Sequence, residues 1–452
     1  MPVRLIDSLA STEPLAELFS DNSILRAMLE FEVALARVEA KLGIIPRAAA
    51  EAIASASDPS PFDTAELSRK ALLAGTPSIP LVKMLRKIVA ARNETVAGFL
   101  HWGATSQDVS DTALIILLKR AQPLIEADLA RIELALHEFS GKHKDTVMLG
   151  RTLLQAAPPI TLGLKAAAWL AAIRRGRERL SRAFAEALVI QFGGAVGTLA
   201  VLGEQGVNVA QELALELGLG FPDAPWHTHR DRLAALVCAS GIVTGSLGKV
   251  ARDISLLMQS EVAEVAEPQS EDRGGSSTMP QKRNPIGCAI ALAAANRMPG
   301  LVASYLSAMP QEHERAVGGS QSEWPTVAAV MQATAAAAAS MAEISEGLTV
   351  DPDRMRQNLN ATNGTIYAEK AAILLATSLG RDKAHRLIEQ AANRALLENR
   401  QLSEVLAEIP EILKCLGKTT LEHLLVAEDY LGSAEAFRQR LLQNTSAISS
   451  KS

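Results

Sequence analysis

Aromatic side chains are scarce in this 452-residue chain, at 4% of positions, and alanine and leucine carry most of its apolar content. Those two residues lose little rotamer freedom in a helix, so the composition disfavours an all-β fold. Cysteine is scarcer still. Cys238, Cys288 and Cys415 are odd in number and show no CxxC spacing, which points to a reducing compartment, the cytoplasm, rather than to a disulfide framework. Positive charge is not in excess: 45 Lys+Arg against 50 Asp+Glu leave a formal charge of −5. That balance argues against a dedicated nucleic-acid or anionic-membrane binder, whose surface must neutralise phosphate.

Other signatures are missing as well. The start, MPVRLIDSLASTEP, lacks the basic end, apolar core and cleavage site of a signal peptide. The most apolar long stretch, 233–258, is interrupted by Lys249, Arg252 and Asp253 and reads as too polar for a membrane span. Eight histidines form no zinc pattern, and His227-Thr228-His229 gains no help from a cysteine. Residues 193–198, GGAVGT, have neither a GxGxxG pattern nor the Gly-Lys-Ser/Thr ending of a phosphate loop. No metal and no cofactor is expected.

What is present is helical periodicity. Apolar residues recur at Leu114, Leu117, Leu118, Ala121, Leu124, Ile125, Leu129, Ile132 and Leu136, the 3.6-residue pattern of one long helix over 111–139. Similar runs cover 161–187, 231–265, 285–309 and 324–348, with almost no alternating β-type segments. These five predict a bundle of long helices. Gly241, Gly245 and Gly248 in the third run cost helix stability unless they let backbones approach closely. Many faces are apolar nearly all round, so cover from further copies of the chain is expected. Shorter helices precede the bundle (21–42, 80–96), and short helices follow Asp351-Pro352. The expected division is therefore 1–110, 111–350 and 351–452.

Residues 267–285, EPQSEDRGGSSTMPQKRNP, lie between two long helical runs. The glycine and serine cluster suits a linker, or a mobile loop aiming backbone N–H groups at an anion. Lys282 and Asn284 beside two hydroxyls suit a carboxylate and developing negative charge. In 101–108, Thr105, Ser106 and Asp108 are N-cap types, yet hydroxyls at a helix start also suit an anion. GRTLLQ at 150–155 reads as a capped turn with a solvated arginine. Glu312-His313-Glu314-Arg315 reads as a salt-bridged surface, although Arg315 offers a planar fork for a carboxylate.

Taken together these segments resemble the fumarase/aspartase superfamily. Residues 275–285 match its GSSxMPxKxNP signature, and TSxD at 105–108, GRTxxQ at 150–155 and GAVGT at 194–198 follow the same order. Within it, WGATSQD, HTHRDR and QEHERAVGGSQSEW are most similar to the lactonising cycloisomerase branch that acts on carboxylated muconates in aromatic catabolism. The resemblance implies an all-α, three-domain, cofactor-free cytoplasmic homotetramer with a twenty-helix core, each active site shared by three subunits. The implied substrate is a small tricarboxylate, with neither nucleic acid nor membrane as partner. It implies Ser276 as the proton-transferring serine, with Ser277 as the alternative. Lys282 and Asn284 become carboxylate contacts, Thr105 and Ser106 hydroxyl donors, Arg315 a carboxylate clamp, and Gln155 and His229 further contacts.

One departure discriminates among activities. Eliminating lyases of the superfamily carry a histidine at the fourth position of GRTHxQ, where this sequence has Leu153. Leucine cannot relay a proton, and an amine or water leaving group needs one. A substrate carboxylate that closes a lactone is already ionised near neutral pH, its reference pKa being roughly 4. The expected reaction is therefore cycloisomerisation, with an adenylosuccinate- or argininosuccinate-type lyase using His101 or His229 as the alternative. The 267–280 segment is expected to be mobile without ligand.

Overall fold

The computed structural model describes residues 5–268, 279 and 282–443. Five helices dominate it: Ser106–Lys142, Leu162–Ala187, Asp231–Leu257, Ile286–Ala308 and Gly319–Gly347. They match the five periodic runs, with one correction. The third was expected to reach residue 265 but stops at Leu257: turns follow, Ala263 adopts a left-handed φ of 52°, the Glu264 N–H returns to the Leu257 carbonyl at 2.9 Å, and Val265–Ala266 pairs with Thr349–Val350. Before Ser106 the helices are shorter, the longest being Asp21–Lys41, and Ser78–Arg92 replaces the expected 80–96. After Gly347 none exceeds the 18 residues of Arg381–Glu398 among the described residues.

Side chains tie the long helices to one another. Thr244 donates to Thr334 at 3.2 Å, joining Asp231–Leu257 to Gly319–Gly347, and Trp169 Nε1 donates to Asp253 at 2.8 Å, joining it to Leu162–Ala187. Arg131 spans Ser106–Lys142 and Gly319–Gly347 through a fork on Glu346. Glycine permits the tightest of these contacts. A β-carbon added at Gly248 would lie 2.5 Å from the Ala295 β-carbon, and one at Gly241 would lie 2.9 Å from Val302, whereas Gly245 has nothing within 4 Å.

The chain forms two compact units. One comprises Met1–Ala130, Arg175–Lys249 and Ala289–Met341, with a core around Phe31, Leu81, Leu85, Leu117, Phe192 and Leu213. The other comprises Arg131–Arg174, Val250–Cys288 and Ala342–Ser452, with a core around Tyr367, Leu375, Ile388, Leu402 and Val405.

Strand pairing is the feature the periodicity did not reveal. Val147–Thr152 and Gln155–Thr161 form an antiparallel hairpin with a bulge at Leu149/Gly150. Its second strand contains Pro158-Pro159, which hides any alternating pattern. A β-carbon at Gly150 would sit 2.3 Å from the Pro158 carbonyl, so the bulge requires glycine. The solvated arginine expected at Arg151 is not what forms: its guanidinium forks onto the fully buried Glu264 at 2.7 and 3.0 Å.

A second correction concerns hydropathy. Asp231–Leu257, with Ile286–Ala308 and Gly319–Gly347, is long and apolar enough by length and composition to cross a membrane, because its charges (Asp231, Arg232, Lys249, Arg252 and Asp253) fall towards its two ends and leave an uncharged middle. In two of them most of the apolar stretch is buried, 61% and 67%. In Ile286–Ala308 only 28% is.

Candidate active site

The start of the Ser106–Lys142 helix organises the first unit's polar residues. Thr105 stands just before its first turn, and Asp108 accepts the Thr105 backbone N–H at 3.0 Å, the reciprocal arm of a capping box. Asp108 is buried and also accepts Gly193 N–H at 3.1 Å and Gly194 N–H at 2.9 Å. His227 Nε2 completes its shell at 2.7 Å. The glycine-rich segment thus grips a carboxylate of its own chain, which is why it lacks a phosphate-loop ending.

With the helix start capped by Asp108, the neighbouring hydroxyls are turned to another task. Arg315 Nη1 donates to Thr105 Oγ1 at 2.8 Å, Nη2 to Ser106 Oγ at 3.1 Å and Nε to Gln107 Oε1 at 3.3 Å. Three residues singled out separately in the sequence, Thr105, Ser106 and Arg315, are therefore brought together. Arg315 forms no ion pair with a carboxylate among the described residues, so the expected salt-bridged surface at 312–315 is not what forms. Glu312 turns instead to the Val317 N–H, and backbone hydrogen bonds hold its carboxyl below the usual range. A cation held by neutral acceptors at a helix N-terminus keeps its charge for an anion, and both hydroxyl protons remain available to a ligand. Ser106, Gln107 and Arg315 line a cavity of about 550 Å³ that also includes Thr76, Ser110 and Trp324.

Behind this strip lies a buried ionic group. Arg230 is 1% exposed; it forks onto Asp111 at 2.8 and 3.0 Å and onto Glu323 through Nε at 2.9 and 3.1 Å, with Trp226 stacked 4.6 Å away. Burial works against the Arg230 charge, but the Asp111 and Glu323 carboxylates outweigh it and the pKa rises. Burial holds Glu323 above the usual carboxylate range despite Arg230. Gln107, Asp111, Arg230 and Glu323 were not singled out from sequence. The one local signal was the i, i+4 spacing of Gln107 and Asp111, which places both on one helix face.

The other expected residues divide plainly. Ser276 and Ser277, and most of the 267–280 segment expected to be mobile, lie outside the described residues. His229 is exposed in the first unit. His101, the other histidine considered for elimination, is committed to Glu32 at 2.7 Å. Burial disfavours charging it, but the Glu32 carboxylate prevails and raises its pKa. Gln155, Lys282 and Asn284 belong to the second unit; Lys282 is exposed and its N–H donates to the Met279 carbonyl at 3.0 Å. Gln155 closes the hairpin opposite Thr152, and the two tip residues, Leu153 and Leu154, have φ values of 50° and 64°. Leu153 is 97% exposed.

The chain as a whole has relatives among known proteins. A family profile described as lyase matches residues 9–300, and a second, described as adenylosuccinate lyase C-terminus, matches 364–441. The chain is 46% identical to the 3-carboxy-cis,cis-muconate cycloisomerase of Pseudomonas aeruginosa, covering 98% of this chain and 97% of that protein. It is also 46% identical to the cycloisomerase of the same name from Bradyrhizobium diazoefficiens, over 97% and 98%. The crystal structure of 3-carboxy-cis,cis-muconate lactonizing enzyme from Pseudomonas putida superposes with a TM-score of 0.91 at 45% identity, covering 97% of this chain and 98% of that one.

Proposed function

We propose, from the premise that this chain belongs to the lyase family of the fumarase/aspartase superfamily, that it converts 3-carboxy-cis,cis-muconate to 4-carboxymuconolactone. One substrate carboxylate oxygen forms a C–O bond to an alkene carbon. The displaced π electrons move to the adjacent carbon and spread into its carboxylate as an enediolate. A proton delivered to that carbon completes the lactone. We assign the delivery to Ser276, which then regains its proton from solvent, with Ser277 as the alternative. Lys282 and Asn284 hold the developing charge, and Thr105, Ser106 and Arg315 hold a spectator carboxylate; Gln155 and His229 are further contacts.

The observation that carries this reading is Leu153. At the hairpin tip where eliminating relatives have an acid–base histidine, two exposed leucines stand side by side, and neither can protonate a leaving group. Ring closure by an ionised carboxylate needs no such group. The family profile over the C-terminal segment carries the adenylosuccinate lyase description, so elimination is the second reading.

The two are separated by incubating the purified chain with each substrate. Loss of the conjugated-diene absorbance of the muconate without fumarate supports cyclisation, and fumarate release from a succinyl substrate supports elimination. Within the first outcome, Ser276→Ala is expected to lower kcat at least about a hundredfold, the scale of a lost acid–base group; retained turnover would displace Ser276 from its role.

Assembly and location belong to the same proposal. We infer a soluble, cytoplasmic homotetramer whose sites draw on several subunits, supported by the thinly covered apolar face of Ile286–Ala308. The division at about 110 and 350 is retained as a proposal about folding units. The reaction would stand in the protocatechuate branch of aromatic catabolism, the β-ketoadipate pathway.

A further inference from the structure

We infer that Gln107 is a positioning residue that fixes the Arg315 guanidinium while leaving its positive charge uncompensated for the substrate. This inference rests on the reading of Arg315 as a carboxylate clamp and deepens it.

The orientation of the Gln107 amide is set from behind. Its Nε2 donates to the His227 carbonyl at 2.9 Å and to Asp111 Oδ2 at 3.2 Å. Both partners are acceptors, so a flipped amide would face two oxygens with a third. The carbonyl end is thereby committed to Arg315 Nε, at 3.3 Å. Gln107 is 7% exposed and sits one helical turn before Asp111, so the amide has little room to move.

Charge is kept apart by the same arrangement. Asp111 is the carboxylate nearest to Arg315 along this chain of contacts, yet both its oxygens are taken by Arg230. Arg230 is in turn held by Glu323, whose Oε1 also accepts from Gln311 Nε2 at 2.7 Å. The negative charge of Asp111 is spent on a buried arginine, and what reaches Arg315 is a neutral amide oxygen. A carboxylate at position 107 would occupy the same space, pair with Arg315 and cancel the charge that an incoming anion needs. Glutamine gives the acceptor without the charge. The guanidinium also lines the 550 Å³ cavity, so a small carboxylate can reach it.

The test uses the full-length protein and two readouts: steady-state kinetics with the muconate, and calorimetric binding of propane-1,2,3-tricarboxylate at fixed ionic strength. Gln107→Glu is expected to raise KM and the probe's Kd at least about tenfold, with kcat changed less than about threefold, because a clamp holding ground and transition states alike acts on KM. Gln107→Met, of equal length but without charge or acceptor, is expected to raise both about two- to fivefold through lost positioning. In an Arg315→Ala background, Gln107→Glu should change either constant less than about twofold, since the group it acts through is gone. A merely structural role would shift the melting temperature without this dependence on Arg315.

The inference is overturned if Gln107→Glu stays within twofold of the native protein, or if its effect persists undiminished without Arg315. Should Gln107→Glu fail to fold, Gln107→Met at native affinity overturns it instead. If the native protein binds the probe but does not turn over the muconate, the proposed activity falls while the binding series still decides this point. If it does neither, both fall.

Discussion

Glu39 has both carboxylate oxygens without a hydrogen-bond partner and is 1% exposed. Burial, with Glu32 nearby as a secondary cause, pushes its pKa from 4.5 to about 9. The sign of the consequence follows from proton binding. Below pH 4.5 the group is protonated folded and unfolded, and its neutral form is tolerated. Between pH 4.5 and about 9 the unfolded chain releases the proton and the folded one retains it, so stability falls by about 1.4 kcal/mol per pH unit. Glu39→Gln removes that loss. Its melting temperature should match the native protein near pH 4.5 and exceed it increasingly up to pH 9, by an amount worth a few kcal/mol, roughly, at pH 7; equal pH profiles would show that Glu39 finds a partner. At this scale the sequence was readable where a motif names the residue, as with Thr105, Ser106 and Arg315. It was silent for Gln107, Asp111, Arg230 and Glu323, because ionic partners 93 and 119 positions apart share no local pattern.

Helix extents were largely legible, because a period of 3.6 sustained over 23 to 37 residues is hard to mimic. The ends and the hairpin were not. A two-residue turn between paired strands normally takes Asn-Gly, and Leu153-Leu154 gives no such signal while occupying the same left-handed conformation. That geometry costs leucine on the order of 1–2 kcal/mol per residue. Replacing the pair with Asn-Gly should raise the thermal midpoint. A lower midpoint would show that the leucines stabilise the tip through contacts of their own. The helix glycines make an independent test. Gly248→Ala forces a β-carbon against Ala295 and should cost about 1–3 kcal/mol as overpacking. Gly141→Ala, in a helix with nothing within 4 Å, should add about 0.5–1 kcal/mol. Urea midpoints moving in the same direction for both would contradict the packing described for Asp231–Leu257.

On the scale of the whole molecule, the apolar stretch of Ile286–Ala308 is only 28% buried within one chain, and an apolar helix left in water is unfavourable over its full length. Sedimentation of the purified protein should give four times the chain mass; a stable monomer would leave that face unexplained. Composition already excluded an all-β fold, and the bundle was legible from periodicity, whereas the two compact units cut across it because compactness depends on packing and not on element length. The account's central claim is that the substrate's own carboxylate closes the ring and the protein supplies one proton to carbon. It is tested most directly by incubating the dialysed protein with 3-carboxy-cis,cis-muconate in deuterium oxide and examining the product by NMR. The account predicts a lactone carrying a single solvent-derived deuteron on the carbon beside its carboxylate, and no fumarate. Unchanged muconate, or a lactone without that deuteron, would contradict it.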